Sequence, residues 1–263
     1  MGIKDWFKGK GSDPVEKWTK RLTQKWGPTE NRMIAMQKLV DIGTPEAIRA
    51  LLQRFTIQSE NGVVDETEKQ NVGDAVLGFG EGAIDSIGRA LREIDQISWP
   101  LALLRQILSN DEERFIVELV ALLDDLDTEY MRNPEKKLAV MTFLAGLDDL
   151  DNDDGEPIDL VRSARPPTDP RIAHAAVKFL EDEDEEVRYL TVTALARQAD
   201  EVAREPLIRL LVDEETSRRF RGRIAESLSR TEWTVKGFRK QAEEALPQGF
   251  KLDRQGRVRD RRG

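Results

Sequence analysis

The sequence predicts an all-α chain of stacked helical hairpins, an α-solenoid of about six units, and three observations predict it. Apolar residues recur at helical spacing almost throughout. One apolar frame returns at intervals of 31 to 51 residues. Strand-forming runs are lacking before residue 249, and the two Tyr and nine Phe stand against abundant Leu, Ala, Glu and Arg, a usage that favours helix.

Taken in order, residues 1–26 read as a basic segment, with seven Lys and Arg against three acids. Ile3, Trp6 and Phe7 fall on one helical side with Lys4 and Lys8 beside them. Such a pattern suits a cap on the first hairpin, or a short interfacial membrane anchor. The first hairpin is "NRMIAMQKLVDIGTPEAIRALLQRF", residues 31–55. Arg32, Ala35 and Leu39, with Met36 and Val40, form its first stripe. Gly43 can take the left-handed conformation that ends a helix, Thr44 can cap the next, and Pro45 suits its first turn. Ile48, Leu51, Leu52 and Phe55 form the second stripe.

The same frame returns as Gln70, Gly73, Leu77 then Ile84, Ile87, Leu91, and as Leu101, Leu104, Leu108 then Phe115, Ile116, Leu119. It returns again as Lys137, Val140, Leu144 then Ile172, Val177, Leu180, as Arg188, Thr191, Leu195 then Leu207, Leu210, Leu211, and as Arg221, Ile224, Leu228. The frames begin at 32, 70, 101, 137, 188 and 221, close to the roughly 40 to 47 residues of a helical-pair array except where one unit is longer. One pair cannot bury both of its faces, so neighbours must cover each other.

"DEDEEVRYLTVTALA" (182–196), where acids lead into Val187-Arg188 and then Ala194-Leu195, resembles HEAT-like repeats, as does "RMIAMQKLVDIGTPEAIRALL" (32–52). The resemblance spans about residues 27–246. It implies a curved right-handed solenoid whose second helices line the inner surface. A compact bundle would share the amphipathic pattern, but the regular period and the repeated acid-x-Val-Arg entry favour the solenoid.

Two stretches depart from the array. "LDDLDNDDGEPIDLVRSARPPTDP" (147–170) is acidic, then Pro-rich, and reads as a loop inserted between the helices of one unit. Asp149, Asp151 and Asp153 have the alternate spacing of a calcium loop, but Asp154 replaces the sixth-position Gly and Leu160 the twelfth-position Glu, so a flexible acidic loop is expected. Residues 247–263 read as a basic tail in which Phe250, Leu252 and Val258 around an Asp253–Gly256 turn signal also allow a small hairpin.

Charge and composition exclude whole classes of function. No apolar run approaches the roughly 18 residues of a membrane span. The absence of cysteine removes thiolate metal sites and cysteine nucleophiles. The start of the sequence offers no export signal and Trp6 stands where a myristoylation motif wants Ser or Thr, so cytoplasm is expected. The net charge is −9, with +4 over 1–26 and +8 over 217–263, which leaves −21 for 27–216. An acidic middle repels nucleic acid, and basic ends open the way to salt-sensitive self-association.

Catalysis has little to work with. His174 is the single histidine, set between Ala173 and Ala175 on a helix, and "GFGEGA" (78–83) lacks the strand that a dinucleotide fingerprint needs. No cofactor and no metal is expected. HEAT-like DNA glycosylases use Trp and Asp near a damaged base; Trp99, Trp233 and several aspartates exist here, but the acidic middle opposes phosphate binding. Nothing identifies the tetrapyrrole pocket of the phycobilin lyase relatives.

The sequence therefore reads as a non-catalytic scaffold or adaptor for an unidentified protein partner. Its alternatives are a HEAT-like DNA-binding or glycosylase-type protein, and a scaffold held weakly to membranes by its N-terminal segment. The positions pointing away from the second-helix stripes are the candidate partner surface: Arg49, Gln53, Arg89, Glu93, Glu118, Asp125 and Arg209. Arg218, Arg219, Arg221 and Arg223 form a candidate basic end surface.

Overall fold

The computed structural model describes residues 13–59, 61–146, 161 and 164–261. Ile3, Trp6 and Phe7 of the candidate N-terminal cap or anchor, and Asp149, Asp151 and Asp153 of the insertion, lie outside the described residues. Over the described residues the chain is helical except for one short hairpin near the C-terminus. It divides into two compact units, the cut falling between Asn110 and Asp111, inside the third expected hairpin.

The first unit contains α1 (Pro14–Leu22), α2 (Thr29–Ile42), α3 (Pro45–Leu52), α4 (Gly62–Leu77), α5 (Ile84–Glu93) and α6 (Ser98–Ile107). Within it, α2, α4 and α6 pack side by side as a layer of first helices, α3 and α5 pair as a layer of second helices, and α1 closes over α2 and α3. The local chemistry of the first hairpin is as the sequence implies. Gly43 has φ +65° at the end of α2, and the Thr44 hydroxyl accepts from the Ala47 N–H at 3.3 Å while Pro45 opens α3.

The second unit contains α7 (Glu112–Asp125), α8 (Glu135–Ala145), α9 (Pro170–Ala176) running into a tight helical turn at Val177–Glu181, α10 (Glu185–Gln198), α11 (Arg204–Val212), α12 (Arg218–Ser229) and α13 (Arg239–Ala245). Here α8, α10 and α12 form the first-helix layer, with α7 against α9 and α11 against α13 on the other side. The acids before Val187 act through Asp184, whose carboxylate accepts the Glu186 and Val187 N–H groups at the start of α10. Residues Phe250–Leu252 (β1) and Val258–Asp260 (β2) pair antiparallel, and β2 packs on α12. The C-terminal stretch is therefore not a bare tail, because Val258, 1% exposed, gives it an apolar anchor.

In several frames the buried set differs from the expected one, and Met36, Val40 and Val177 are half-buried. In α4 the buried residues are Asp65, Glu68, Val72, Gly73 and Val76, while Gln70 and Leu77 are half-buried. The stripe is rotated because two carboxylates occupy core positions. In α11, Leu207 and Leu211 are buried one turn apart, and Leu210 faces partly outward.

The cations that lead four of the frames share one task, holding the turn that precedes their own helix. Arg32 donates to the Gln24 and Gly27 carbonyls, Lys137 to Glu129, Arg188 to Asp182 and Glu183, and Arg221 to Asp213. Two of them are also buried against an acid supplied by the next repeat. Arg32 bonds Glu68 through two nitrogens at 2.7 Å, and Lys137 bonds Asp182 at 2.9 Å. Arg54, fully buried, completes the first cluster with bonds to Glu68 and to Asp65. A charge buried this way is tolerated only when its hydrogen-bonding capacity is met, as it is here.

The end of the insertion is likewise fixed. Gln198, the last residue of α10, accepts from the Asp169 N–H at 3.0 Å and donates to the Pro167 carbonyl at 2.9 Å.

Candidate functional site

The second-helix layer of the second unit contains a hollow of about 520 Å3 between the Val177–Glu181 turn and α11. Helical spacing builds it. Val177 and Leu180 lie one turn apart on one wall, and Pro206 and Leu210 lie one turn apart on the other. Val177, Pro206 and Leu210 are half-buried and Leu180 is buried, so the hollow has an apolar floor open to solvent. Lys178, Glu181, Arg209 and Asp213 stand on its rim.

The rim charges have different fates. Lys178 Nζ donates to the Leu126 carbonyl at 2.7 Å and to that of Asp124 at 3.4 Å, where it meets the negative end of α7. Arg209 donates twice to Glu205, at 2.6 and 3.0 Å, and its guanidinium lies 5.5 Å from the centre of the Phe238 ring. Asp213 accepts the Glu215 N–H. No hydrogen bond or ion pair engages the Glu181 carboxylate among the described residues.

Of the seven residues of the expected partner surface, Arg209 lines this hollow, and Asp125 is exposed at the end of α7 beside the carbonyls that hold Lys178. Glu118 is half-buried on α7 and takes no part. Arg49, Gln53, Arg89 and Glu93 belong to the first unit. There Gln53, Arg89 and Glu93 are exposed, while Arg49 is half-buried and pairs with Glu46 at 2.9 Å. Sequence reading missed Lys178, Glu181 and Asp213, and it counted Leu210 with the core. Helical spacing gives no signal against that, since Leu207, Leu210 and Leu211 at i, i+3 and i+4 fall on one stripe; packing, which buries Ile208 beside Leu207 and Leu211, leaves Leu210 half-buried.

The four arginines of the expected basic end are mostly engaged within the chain. Arg219 and Arg223 lie over the Tyr189 ring at 5.3 and 4.6 Å, and Phe220 stacks on the same ring at 6.0 Å. Arg221 holds the Asp213 carbonyl at 2.7 Å, and Arg218 is exposed.

The residues weighed for catalysis have mainly packing surroundings. Trp99 is 8% exposed, stacks on Phe55 with centroids 5.2 Å apart, and sits over Gly73. His174 is exposed on α9 beside Arg171, in a second, shallower hollow with Val120 and Asp124. Among the described residues no group of three or more His, Cys, Asp or Glu is arranged to hold a metal, and no helix is long and apolar enough to cross a membrane.

Helices paired in two layers, with an open hollow in one layer, define a helical-repeat protein. Residues 172–260, from within α9 through β2, match a family model of HEAT repeats, so this part of the chain is HEAT-like. The match covers about a third of the sequence and includes the whole hollow. HEAT repeats are commonly protein-interaction scaffolds. No curated protein matches the sequence.

Proposed function

We propose that this chain is a non-catalytic adaptor that works in the cytoplasm and binds a protein partner on the second-helix side of its repeats. The observation that carries this reading is the hollow between Val177–Glu181 and α11, where Leu210 leaves an apolar side chain at a position that the repeat does not need for its own core. An apolar floor with a charged rim is the usual make-up of an interaction hot spot. Arg209 and Asp125 belong to this surface; Arg49, Gln53, Arg89 and Glu93 are proposed as a separate contact surface on the first unit, and Glu118 has no part in the hollow. The arginines of α12 serve the fold more than a partner, because stacking and carbonyl contacts occupy three of them. The basic ends and acidic middle also support a weak, salt-sensitive self-association.

The reading is tested by placing a photo-crosslinking residue at position 210, and in a separate chain at 186, which is exposed on α10. A partner captured reproducibly from 210 and not from 186 is the expected result. Capture from 186 alone, or from neither across growth conditions, removes it.

A further inference from the structure

The acids around the hollow differ from its cations in what engages them, and the difference points to the charge of a partner. Both cations on its rim are already committed: Lys178 to the carbonyl end of α7, and Arg209 to Glu205 and the Phe238 ring. The acids are not. Glu181 is exposed and meets no cation among the described residues, and the Asp213 carboxylate accepts one backbone N–H. Arg221 reaches the carbonyl of Asp213 and leaves its carboxylate without an ion pair. Glu214 and Glu215 follow, both exposed. The hollow thus offers apolar surface from Val177, Leu180, Pro206 and Leu210 beside two rim carboxylates that no ion pair engages among the described residues.

We propose that this hollow receives a cationic amphipathic peptide segment, an apolar side chain entering over Leu180 and Leu210 while flanking Lys or Arg residues pair with Glu181 and Asp213. The proposal rests on the interaction-module reading and names the chemistry of its partner. Complementary charge sets which partner docks and how fast, while the apolar contact holds it. An acidic peptide or a nucleic acid would bring like charge against the free carboxylates.

Two labelled synthetic peptides with leucines at i and i+4 test the proposal, one carrying lysine and the other glutamate at the remaining positions. Titrated with the full chain, the lysine peptide is expected to bind and the glutamate peptide not. Leu210→Asp should weaken the lysine peptide by about tenfold or more. Mere attraction to an acidic protein would do the opposite, since that change adds a negative charge. Glu181→Lys with Asp213→Lys should reverse the preference, and because both positions are exposed this variant decides the matter even if Leu210→Asp loses helical content. Equal binding of both peptides, or undiminished lysine-peptide binding by the double variant, overturns the proposal. A natural partner crosslinked at 210 through an acidic segment would overturn it too, while leaving the adaptor reading intact; absence of any partner would fail the adaptor reading itself.

Discussion

Glu68 shows what a single residue does in this fold. Its side chain is 3% exposed and accepts from Arg32 and from Arg54, whose own side chain is fully buried. Glu68→Ala leaves two buried guanidinium groups short of an acceptor, and breaking such a cluster typically costs about 3–5 kcal/mol. A fall of that size in the denaturant-unfolding free energy is expected, with a smaller loss for Arg32→Met combined with Glu68→Leu. The same cluster sets an acid limit. Burial alone would push Asp65 and Glu68 upward, but hydrogen bonds from Lys69, Arg54 and the Ser59 N–H to Asp65, and from Arg32 and Arg54 to Glu68, outweigh it and hold both below the ordinary carboxylate range. Carboxylates depressed in the folded state contribute stability above their unfolded value, near ~4, and lose it as pH falls through the folded value. Thermal midpoints should therefore drop below about pH 4, and less steeply in the Arg32→Met, Glu68→Leu pair. Gly73 is decided by contact, since a Cβ there would lie 3.1 Å from the Trp99 ring. Gly73→Val should cost about 1–3 kcal/mol by overpacking, read as a lowered melting temperature.

At the scale of elements, the leading cations join each helix to what precedes it, and two of them to the next repeat as well. Lys137 joins α8 to the turn before α10 through Asp182, across 45 residues of sequence. Lys137→Met should destabilise the second unit by about 3–5 kcal/mol, because Asp182 stays buried without its cation. Hydrogen exchange would report the effect as lost protection in α8 and α10 ahead of the first unit. Gln198 ties α10 to the end of the insertion. Gln198→Ala should free the Asp169 amide to exchange while α10 keeps its protection, and unchanged exchange there would show that the proline run is held by packing alone.

For the whole molecule the governing quantity is the division of charge, −21 over 27–216 against +4 and +8 at the ends. Attraction between exposed charges fades once the screening length falls from ~10 Å at 0.1 M salt to ~3 Å at 1 M. Sedimentation of the full chain should show mass above the monomer at low salt and a monomer at high salt. A monomer under both conditions would leave the basic ends with no part in self-association.

Much of the architecture is written in the residues themselves. Helix type, the Gly43-Thr44-Pro45 break, the cap ahead of α10 and the alternation of first and second helices all follow from local rules, because each depends on neighbours within one or two turns. The charged interior does not. Arg54, Glu68 and Lys137 look like surface residues until a partner arrives from another element, 36 residues away for Arg32 and Glu68, and no periodicity in the chain encodes that pairing. The hollow is of the same kind. Helical spacing puts Leu210 on one stripe with Leu207 and Leu211; only the packing of α11, which buries Ile208 instead, and the approach of Val177–Glu181 make that leucine part of a hollow, since a cavity needs two walls and the sequence supplies them separately.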